Sequence, residues 1–442
     1  MISYAAILAF ALPIVLARLI QTLGLVAGNL IVSGLGAEVL AASALATTIS
    51  IGFFTFASGN LFSISPLVAK EYGQRNYTEI IKLSIDSFYY ATLLGIVIML
   101  IFFNVDFLLK LFHEPPELTN LLIEYYRYFL FSVLPMLWTT VLQEIIIGCQ
   151  RQSIIYKYSF IRMLFGVFFA YALILGKFGF PCLGFAGLGL SVFVASALSF
   201  SGLFIFLIIS KRKFLHNYFD IKLLIPSKRM FSIMSFGLPI GIQMSGEILA
   251  IMVATLLIGH FGIIALAAQQ ITSQYLMLCT MFPFGLAHAI ASRISKLRGE
   301  DKSPEVRTII RKSIVIILVL MCIIGMIYFF IPDLLIHPYI YKYKMHHSEI
   351  THLATSFFYV LIVYQIFDGV RLTLSGVLRG HGNSMTQMLV GIGVFWLLGI
   401  PLMLFLINYT NIGAIAVPLS LTIAVMVGTV ILTFYCMMKV IR

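Results

Sequence analysis

The segment from Phe231 to Gly259 is strongly apolar and contains a single charged residue, Glu247. About 20 apolar residues are enough to cross the hydrocarbon core of a membrane, so the segment is predicted to be a transmembrane helix. A carboxylate in the middle of such a helix costs roughly 2.5–3.5 kcal/mol on insertion scales. Ionisable groups inside a membrane usually belong to transport or proton pathways, which makes Glu247 the first candidate functional residue.

Apolar segments of this kind recur along the whole chain, which is 61% hydrophobic and only 10% charged. A soluble protein would carry about 25% charged residues. Only helices and closed barrels can form all of their backbone hydrogen bonds within lipid. The apolar runs here are too long and continuous for barrel strands. We therefore predict an all-α polytopic membrane protein with twelve transmembrane helices. The first apolar run follows no basic segment, so it is expected to be a retained helix and not a cleaved signal.

Basic residues lie mainly in alternate connections between the predicted spans. The other connections carry only four, Lys110, Lys177, Lys342 and Lys344. The positive-inside rule then predicts that both termini lie in the cytoplasm. The chain is expected in the plasma (inner) membrane. The net charge of +12 is explained by cytoplasmic loops that face anionic membrane lipid, so no nucleic-acid partner is expected.

The two halves of the chain repeat each other. At an offset of 226 residues, Phe10–Pro13 aligns with Phe236–Pro239, and Gly36, Gly59 and Lys70 meet identical residues. Six spans per repeat give both halves the same orientation, which predicts two parallel six-helix lobes around a central cleft. The predicted boundaries are an N-terminal lobe at 1–209, a basic cytoplasmic linker at 210–230 and a C-terminal lobe at 231–442. Such lobes suit alternating access in a transporter.

Enzymatic function is not expected. The five cysteines have no paired spacing, so neither a disulfide framework nor a zinc motif is indicated. The chain contains no Walker motif, no catalytic serine–histidine–aspartate pattern and no dinucleotide-binding glycine loop in the right context. No cofactor is expected.

Asp368 is the second candidate carboxylate. Tyr364 precedes it by four residues and Arg371 follows it by three, so all three share one helix face. Glu247 and Asp368 together in a low dielectric would attract a cation, either Na⁺ or H⁺. The alternatives are that Asp368 merely neutralises Arg371, and that Glu247 only makes a structural hydrogen bond.

Three further ionisable residues lie within the N-terminal spans. Glu144 has Arg18 and Arg162 as candidate partners on other spans. A structural ion pair explains them as well as a gating role does. Arg371 belongs to the same group of structural or gating candidates.

The order and spacing of several motifs resemble the multidrug and toxic compound extrusion (MATE) family, in its NorM-like branch, over nearly the whole chain. The motifs are Leu238–Glu247, Leu266–Gln270, Met281–Phe284, and Tyr364-x-x-x-Asp368 followed by Gly376–Gly380. The resemblance implies a two-lobed antiporter that exports lipophilic or cationic organic compounds in exchange for Na⁺ or H⁺. It also implies a cation site in the second lobe at Glu247, Asp368 and Tyr364.

The stretch Tyr275–Phe284 is a candidate lining for a substrate cleft, because aromatic faces attract organic cations, although core packing is the plainer explanation for each residue. The candidates are Met281 and Phe284 in this stretch, with Gln270 and Gln274 before it. The chain departs from the family in its first lobe, where Asn29 occupies the position of a common aspartate. In the internal repeat, Glu247 corresponds to Gln21 and Asp368 to Thr140. Coupling is therefore expected from the second lobe alone, in a monomer. A flippase for a lipid-linked precursor is the alternative function, favoured by the intramembrane arginines.

Overall fold

The computed structural model describes residues 3–111, 115–209, 229–340 and 347–441, and in these ranges all regular structure is helical. Twelve helices or helix pairs in the described residues are long and apolar enough to cross a membrane. The predicted all-α class with twelve spans in two repeats is therefore confirmed. The predicted linker at 210–230 lies almost wholly outside the described residues.

The helices of the first half have the following bounds: α1 Tyr4–Ser33, α2 Ala37–Leu61, α3 Ile64–Gly73, α4 Tyr77–Phe103, α5 Val105–Leu111, α6 Pro116–Phe129, α7 Val133–Gly148, α8 Ser153–Leu175 and α9 Gly184–Ile209. A short 3₁₀ turn, Leu130–Ser132, joins α6 to α7. Local chemistry explains several ends. The Asn76 side chain accepts a hydrogen bond from the Glu79 backbone N–H at the start of α4, and Gly176 ends α8 at φ 64°.

The second half contains α10 Arg229–Gly259, α11 Ile263–Gly299, α12 Ser303–Phe330, α13 Pro332–Ile340, α14 His347–Gly380, α15 Ser384–Ile392, α16 Ile400–Tyr409 and α17 Ala416–Cys436. A π-helical segment, Gly393–Gly399, links α15 to α16, and another, Met437–Ile441, follows α17. π-helical turns are rare and are frequent at functional sites, so the first of these segments marks a region of interest.

The chain forms two compact units, Leu16–Gly241 and a second unit that combines Met1–Val15 with Ile242–Arg442. The chain passes between units inside α1 and inside α10, two residues after Pro13 and Pro239 respectively. A proline within a helix removes one backbone hydrogen bond and permits a bend. The lobe boundaries at 209 and 231 stay a prediction from the sequence repeat.

The unit Leu16–Gly241 has an aromatic core. Phe102 stacks on Tyr126 with ring centroids 4.8 Å apart, and the Tyr126 hydroxyl donates to the Ala46 carbonyl at 3.0 Å. The first half of α10 packs closely in this unit, since the Ser63 hydroxyl donates to the Ile233 carbonyl at 3.3 Å. The buried hydroxyl groups of Tyr126 and Ser63 thus receive backbone partners within the unit.

In the other unit, α11 and α14 cross at very close range. A methyl group on Gly376 would lie 2.7 Å from the Ala287 Cα, and one on Gly380 would lie 2.8 Å from the Ile294 Cβ. Glycine is required at these positions because any larger residue would push the helices apart. This crossing fixes α14, which carries Tyr364, Asp368 and Arg371.

We expect Gly376→Ala to destabilise the protein by about 1–3 kcal/mol, because the added methyl group overpacks the α11–α14 crossing. Thermal unfolding in detergent would measure the effect. Gly202→Ala is the matched control, because a methyl group at Gly202 meets nothing within 4 Å. Equal stability of the two variants would contradict this account of the crossing.

Candidate cation-coupling site

Glu247, Asp368 and Arg371 form one buried cluster between α10 and α14. The Arg371 Nη1 and Nη2 atoms donate to the two Glu247 carboxylate oxygens at 2.6 Å and 3.2 Å. On its other edge, Arg371 Nε donates to Asp368 Oδ1 at 2.9 Å, and Nη2 lies 2.8 Å from the same oxygen. One guanidinium therefore holds two carboxylates through its planar fork.

The cluster is almost closed to solvent. The exposed fractions of the side chains are 2% for Arg371, 7% for Asp368 and 16% for Glu247. With both carboxylates ionised and one guanidinium, the cluster carries a net charge of −1. Buried charge that is not compensated is costly in a low dielectric. The cluster is consequently suited to take up one monovalent cation.

The arrangement modifies the sequence interpretation of Glu247. The one base on α10 is Arg229 at its first residue, which pairs with Glu79, whereas α14 supplies Arg371 to Glu247 from 124 residues away. The alternative for Asp368, an ion pair with Arg371 on its own helix, is also present in the structure. The two alternatives are not exclusive, because the same arginine serves both acids.

Gln243 and Phe395 complete the surroundings of the cluster. The Gln243 Nε2 amide donates to Glu247 Oε1 at 2.8 Å, from one turn earlier on α10. The Arg371 guanidinium carbon lies 5.3 Å from the centroid of the Phe395 ring, within the range of a cation–π interaction. Tyr364 is buried one turn before Asp368 on α14, as the sequence spacing predicts.

The π-helical segment Gly393–Gly399 provides a second contact beside the cluster. The Trp396 indole N–H donates to the Gly246 carbonyl at 2.9 Å, next to Glu247 in the chain. Phe395 and Trp396 are adjacent, so this segment contacts both Arg371 and the backbone of α10. Gly391 leaves space for Gln243, since a methyl group there would lie 2.7 Å from the Gln243 Nε2 atom.

Sequence reasoning missed Gln243, Phe395 and Trp396. The spacing of four residues between Gln243 and Glu247 was a usable signal, because such pairs meet on one helix face. No signal existed for the two aromatic residues. Their approach depends on how α10, α14 and the π-helical segment pack.

We expect Trp396→Phe to lower the stability of the protein by about 1 kcal/mol, through loss of the hydrogen bond to Gly246. It should also change the apparent affinity for the coupling ion, because the bond lies beside Glu247. Trp138→Phe is the control. It loses a similar bond, from the indole N–H to the Thr92 hydroxyl at 2.9 Å, far along the chain in the other unit. If Trp138→Phe changes ion affinity equally, Trp396 has no special role in the site.

The unit Leu16–Gly241 holds a different polar group at the equivalent positions of the repeat. Arg18 Nη1 lies 3.5 Å from Gln21 Oε1, and Gln21 Nε2 donates to the Ser159 hydroxyl at 3.3 Å. The Arg18 guanidinium carbon lies 5.1 Å from the Phe62 ring centroid, and Glu144 interacts electrostatically with Arg18. Arg162 is half-buried on α8 and interacts with Tyr158, one turn earlier.

The four candidate cleft residues all lie on α11, where their spacings of four, seven and three residues put them on one helix face. Gln270 and Gln274 are exposed, while Met281 and Phe284 are half-buried. The Tyr339 hydroxyl donates to Gln274 Oε1 at 2.8 Å, and the Phe284 ring stacks on His288 at 6.4 Å. The face is thus polar at one end and aromatic at the other.

Residues 13–172 and 239–405 match the MatE family. The chain is 27% identical over 405 residues to a probable multidrug resistance protein NorM of Agrobacterium fabrum, covering 90% of this chain and 86% of that protein. It is 26% identical over 405 residues to the multidrug resistance protein MdtK of Proteus mirabilis, with the same coverage.

Solved structures share the fold. The outward-facing structure of a multidrug resistance MATE family transporter superposes with a TM-score of 0.88, at 19% identity, over 99% of this chain and 95% of that one. A transporter of the same superfamily from Pyrococcus furiosus gives a TM-score of 0.89, also at 19% identity, over 99% of this chain and 95% of that one.

Proposed function

The chain belongs to the MatE family, whose members are transporters and not enzymes, and we propose that it exports lipophilic or cationic organic compounds in exchange for Na⁺ or H⁺. Multidrug efflux is the activity named for its NorM and MdtK relatives. Coupling is proposed to take place at Glu247 and Asp368, with Tyr364 beside them. The chain works in this proposal as a monomer in the plasma (inner) membrane, with cytoplasmic termini.

The observation that carries the proposal is the buried cluster of two carboxylates and one arginine. Its net charge of −1 is neutralised by a single Na⁺ or H⁺. A ligand shifts a conformational equilibrium only if it binds one state better than the other. A cluster whose charge differs between its empty and loaded forms provides such a difference, because burial of the empty form is costly and burial of the loaded form is not.

Arg371 acts in this scheme as a tethered internal cation. It holds both carboxylates when no coupling ion is bound, and an incoming ion competes with it for the same oxygens. Glu247 is the entry point, since its side chain is the most exposed of the three. The membrane potential contributes about 2.3 kcal/mol per charge per 100 mV to this uptake.

Buried oxygens without a hydrogen-bond partner favour an ion or water near the cluster. Within the described residues, the side-chain oxygens of Gln243, Ser245 and Ser375 are buried without such a partner. Gln243 is hydrogen-bonded to Glu247, and Ser375 lies one turn after Arg371. Hard cations prefer carboxylate, amide and hydroxyl oxygens, and the residues here offer all three.

The asymmetry between the repeats supports coupling in one half of the chain. Gln21 and Thr140 stand where the other repeat has Glu247 and Asp368. The Gln21 side chain is hydrogen-bonded to neutral Ser159 and to Arg18. An amide cannot release a proton in exchange for substrate, so this half is assigned no coupling ion.

The exposed face of α11 is proposed to contact the transported compound. Gln270 and Gln274 offer amide groups, while Met281 and Phe284 offer apolar and aromatic surface. Aromatic faces attract organic cations, and a methionine side chain adapts to varied shapes. This mixture suits compounds that are both cationic and lipophilic.

The alternative function, a flippase for a lipid-linked precursor, needs arginines that are free to bind phosphate. Arg371 is fully engaged by Glu247 and Asp368, which weighs against that function. Competition between an organic dye cation and a lipid pyrophosphate for binding would separate the two. Displacement of the dye by the pyrophosphate would favour the flippase.

Transport in proteoliposomes tests the proposal and identifies the ion. A Na⁺ gradient and a pH gradient would be imposed separately at zero membrane potential, and uptake of a fluorescent organic cation would be followed. One gradient should drive accumulation and the other should not. Accumulation with neither gradient, or equal rates with and without both, would show that the chain is not a cation-coupled antiporter.

A further inference from the structure

A second site lies where α1, α11 and α12 meet, and none of the three residues of the carboxylate cluster lines it. It is a cavity of about 110 Å³ within the unit that combines Met1–Val15 with Ile242–Arg442. Ile7 and Phe10 of α1, Ile290 of α11 and Ile309 of α12 contribute its apolar walls, and Arg293 contributes a charge. Ala6 also lines the cavity and is exposed, so the cavity reaches the surface.

The size and lining of the cavity suit a hydrocarbon chain. An apolar cavity of roughly 150 Å³ is large enough for benzene, so 110 Å³ accommodates a short stretch of methylene groups. Buried isoleucine side chains provide the contact surface, since Ile7, Ile290 and Ile309 are at most 7% exposed. Polar solutes would gain nothing from these walls.

Basic side chains lie in the cavity wall and near it. The Arg293 guanidinium carbon lies 6.0 Å from the Phe10 ring centroid, and Lys312 Nζ lies 4.9 Å from the Tyr4 ring centroid. Phe10 and Arg293 line the cavity, whereas Lys312 contacts Tyr4, which lies one turn before Ile7 on α1. Long basic side chains extend from apolar helices toward the lipid headgroups in this manner.

We propose that this cavity binds one anionic phospholipid, with an acyl segment against Ile7, Ile290 and Ile309 and its phosphate between Arg293 and Lys312. Basic pockets between transmembrane helices bind anionic headgroups through the same combination of charge and apolar surface. The excess of basic over acidic residues along the chain, a net +12, favours an anionic over a zwitterionic lipid. The lipid joins α1 to α11 and α12, and thus steadies the first half of α1 in its unit.

Native mass spectrometry of the detergent-solubilised protein, titrated separately with phosphatidylglycerol and phosphatidylcholine, tests this site without a transport assay. We expect the double variant Arg293→Gln, Lys312→Gln to weaken phosphatidylglycerol binding about tenfold or more, because two basic contacts are lost. Arg311→Gln is the matched control, since Arg311 is exposed, lies next to Lys312 and carries the same charge.

A second variant tests the cavity separately from the charge. Ala6→Phe fills the mouth from an exposed position, keeps every basic residue and is expected to fold normally. It should weaken phosphatidylglycerol binding in the same direction as the double variant. The proposal is overturned if phosphatidylcholine binds as tightly as phosphatidylglycerol, if Arg311→Gln loses as much binding as the double variant, or if both Ala6→Phe and the double variant bind like the original protein.

Discussion

Glu247→Gln should abolish concentrative export while the protein remains folded. The substitution leaves Arg371 paired with Asp368, so the cluster becomes neutral and resembles its ion-loaded form. A cluster that is always neutral no longer responds to the coupling ion, and substrate is not driven uphill. Asp368→Asn should act in the same way, because Glu247 then remains paired with Arg371.

The measurement is uptake of an organic cation by proteoliposomes under the gradient that drives the original protein. We expect uphill uptake to fall roughly tenfold or more, while exchange between equal substrate concentrations persists. This separation follows because only a differential affinity for the ion links its gradient to transport. Asp106→Asn is the control. It removes the same charge as Asp368→Asn, but from an exposed ion pair between Asp106 and Lys110.

Retention of full uphill uptake by both Glu247→Gln and Asp368→Asn would place the coupling site elsewhere. Loss of equal size in Asp106→Asn would show that the effect is one of overall charge. Asn29→Ala should keep coupling, because the first repeat is assigned no ion. Strong loss in that variant would restore a role for the first repeat.

Arg371→Gln should be the most damaging single substitution in the site. It leaves Glu247 and Asp368 buried without their shared partner, and the net charge of the cluster becomes −2. Removing one partner of a buried ion pair costs about 3–5 kcal/mol. We expect a large fall in thermal stability and in the yield of folded protein.

A compensating double variant makes this prediction specific to charge. Arg371→Gln combined with Asp368→Asn restores the net charge to −1 and should recover stability relative to Arg371→Gln alone. Arg371→Lys keeps the charge but loses the planar fork that holds both carboxylates, so it should be intermediate. If the double variant is no more stable than Arg371→Gln, the charge balance of the cluster is not what Arg371 contributes.

Glu247 was predicted from the sequence to be functional, but its pairing with Arg371 was not predicted. The apolar surroundings of Glu247 identified it as a costly and useful acid, and the spacing of Tyr364, Asp368 and Arg371 put three polar residues on one helix face. These inferences are local, because helix periodicity and the cost of a charge in lipid depend only on neighbours in the chain. The pairing of Arg371 with Glu247 is not local, because the two residues lie on different helices. From the sequence, only Asp368 was predicted to be a partner of Arg371.

The sequence by itself determined that the chain is all-helical, that it has twelve spans in two repeats, and that its intramembrane acids include Glu247 and Asp368. Hydropathy settles the helical class and the spans, since a backbone in lipid has few ways to satisfy its hydrogen bonds, and residue matches at a constant offset reveal the repeats. Only the tertiary structure decided that one arginine holds both acids, that Gln243, Phe395 and Trp396 surround them, and that a cavity opens beside Arg293. Those features depend on helix crossings as close as that at Gly376, where a single methyl group would move the elements that form the site.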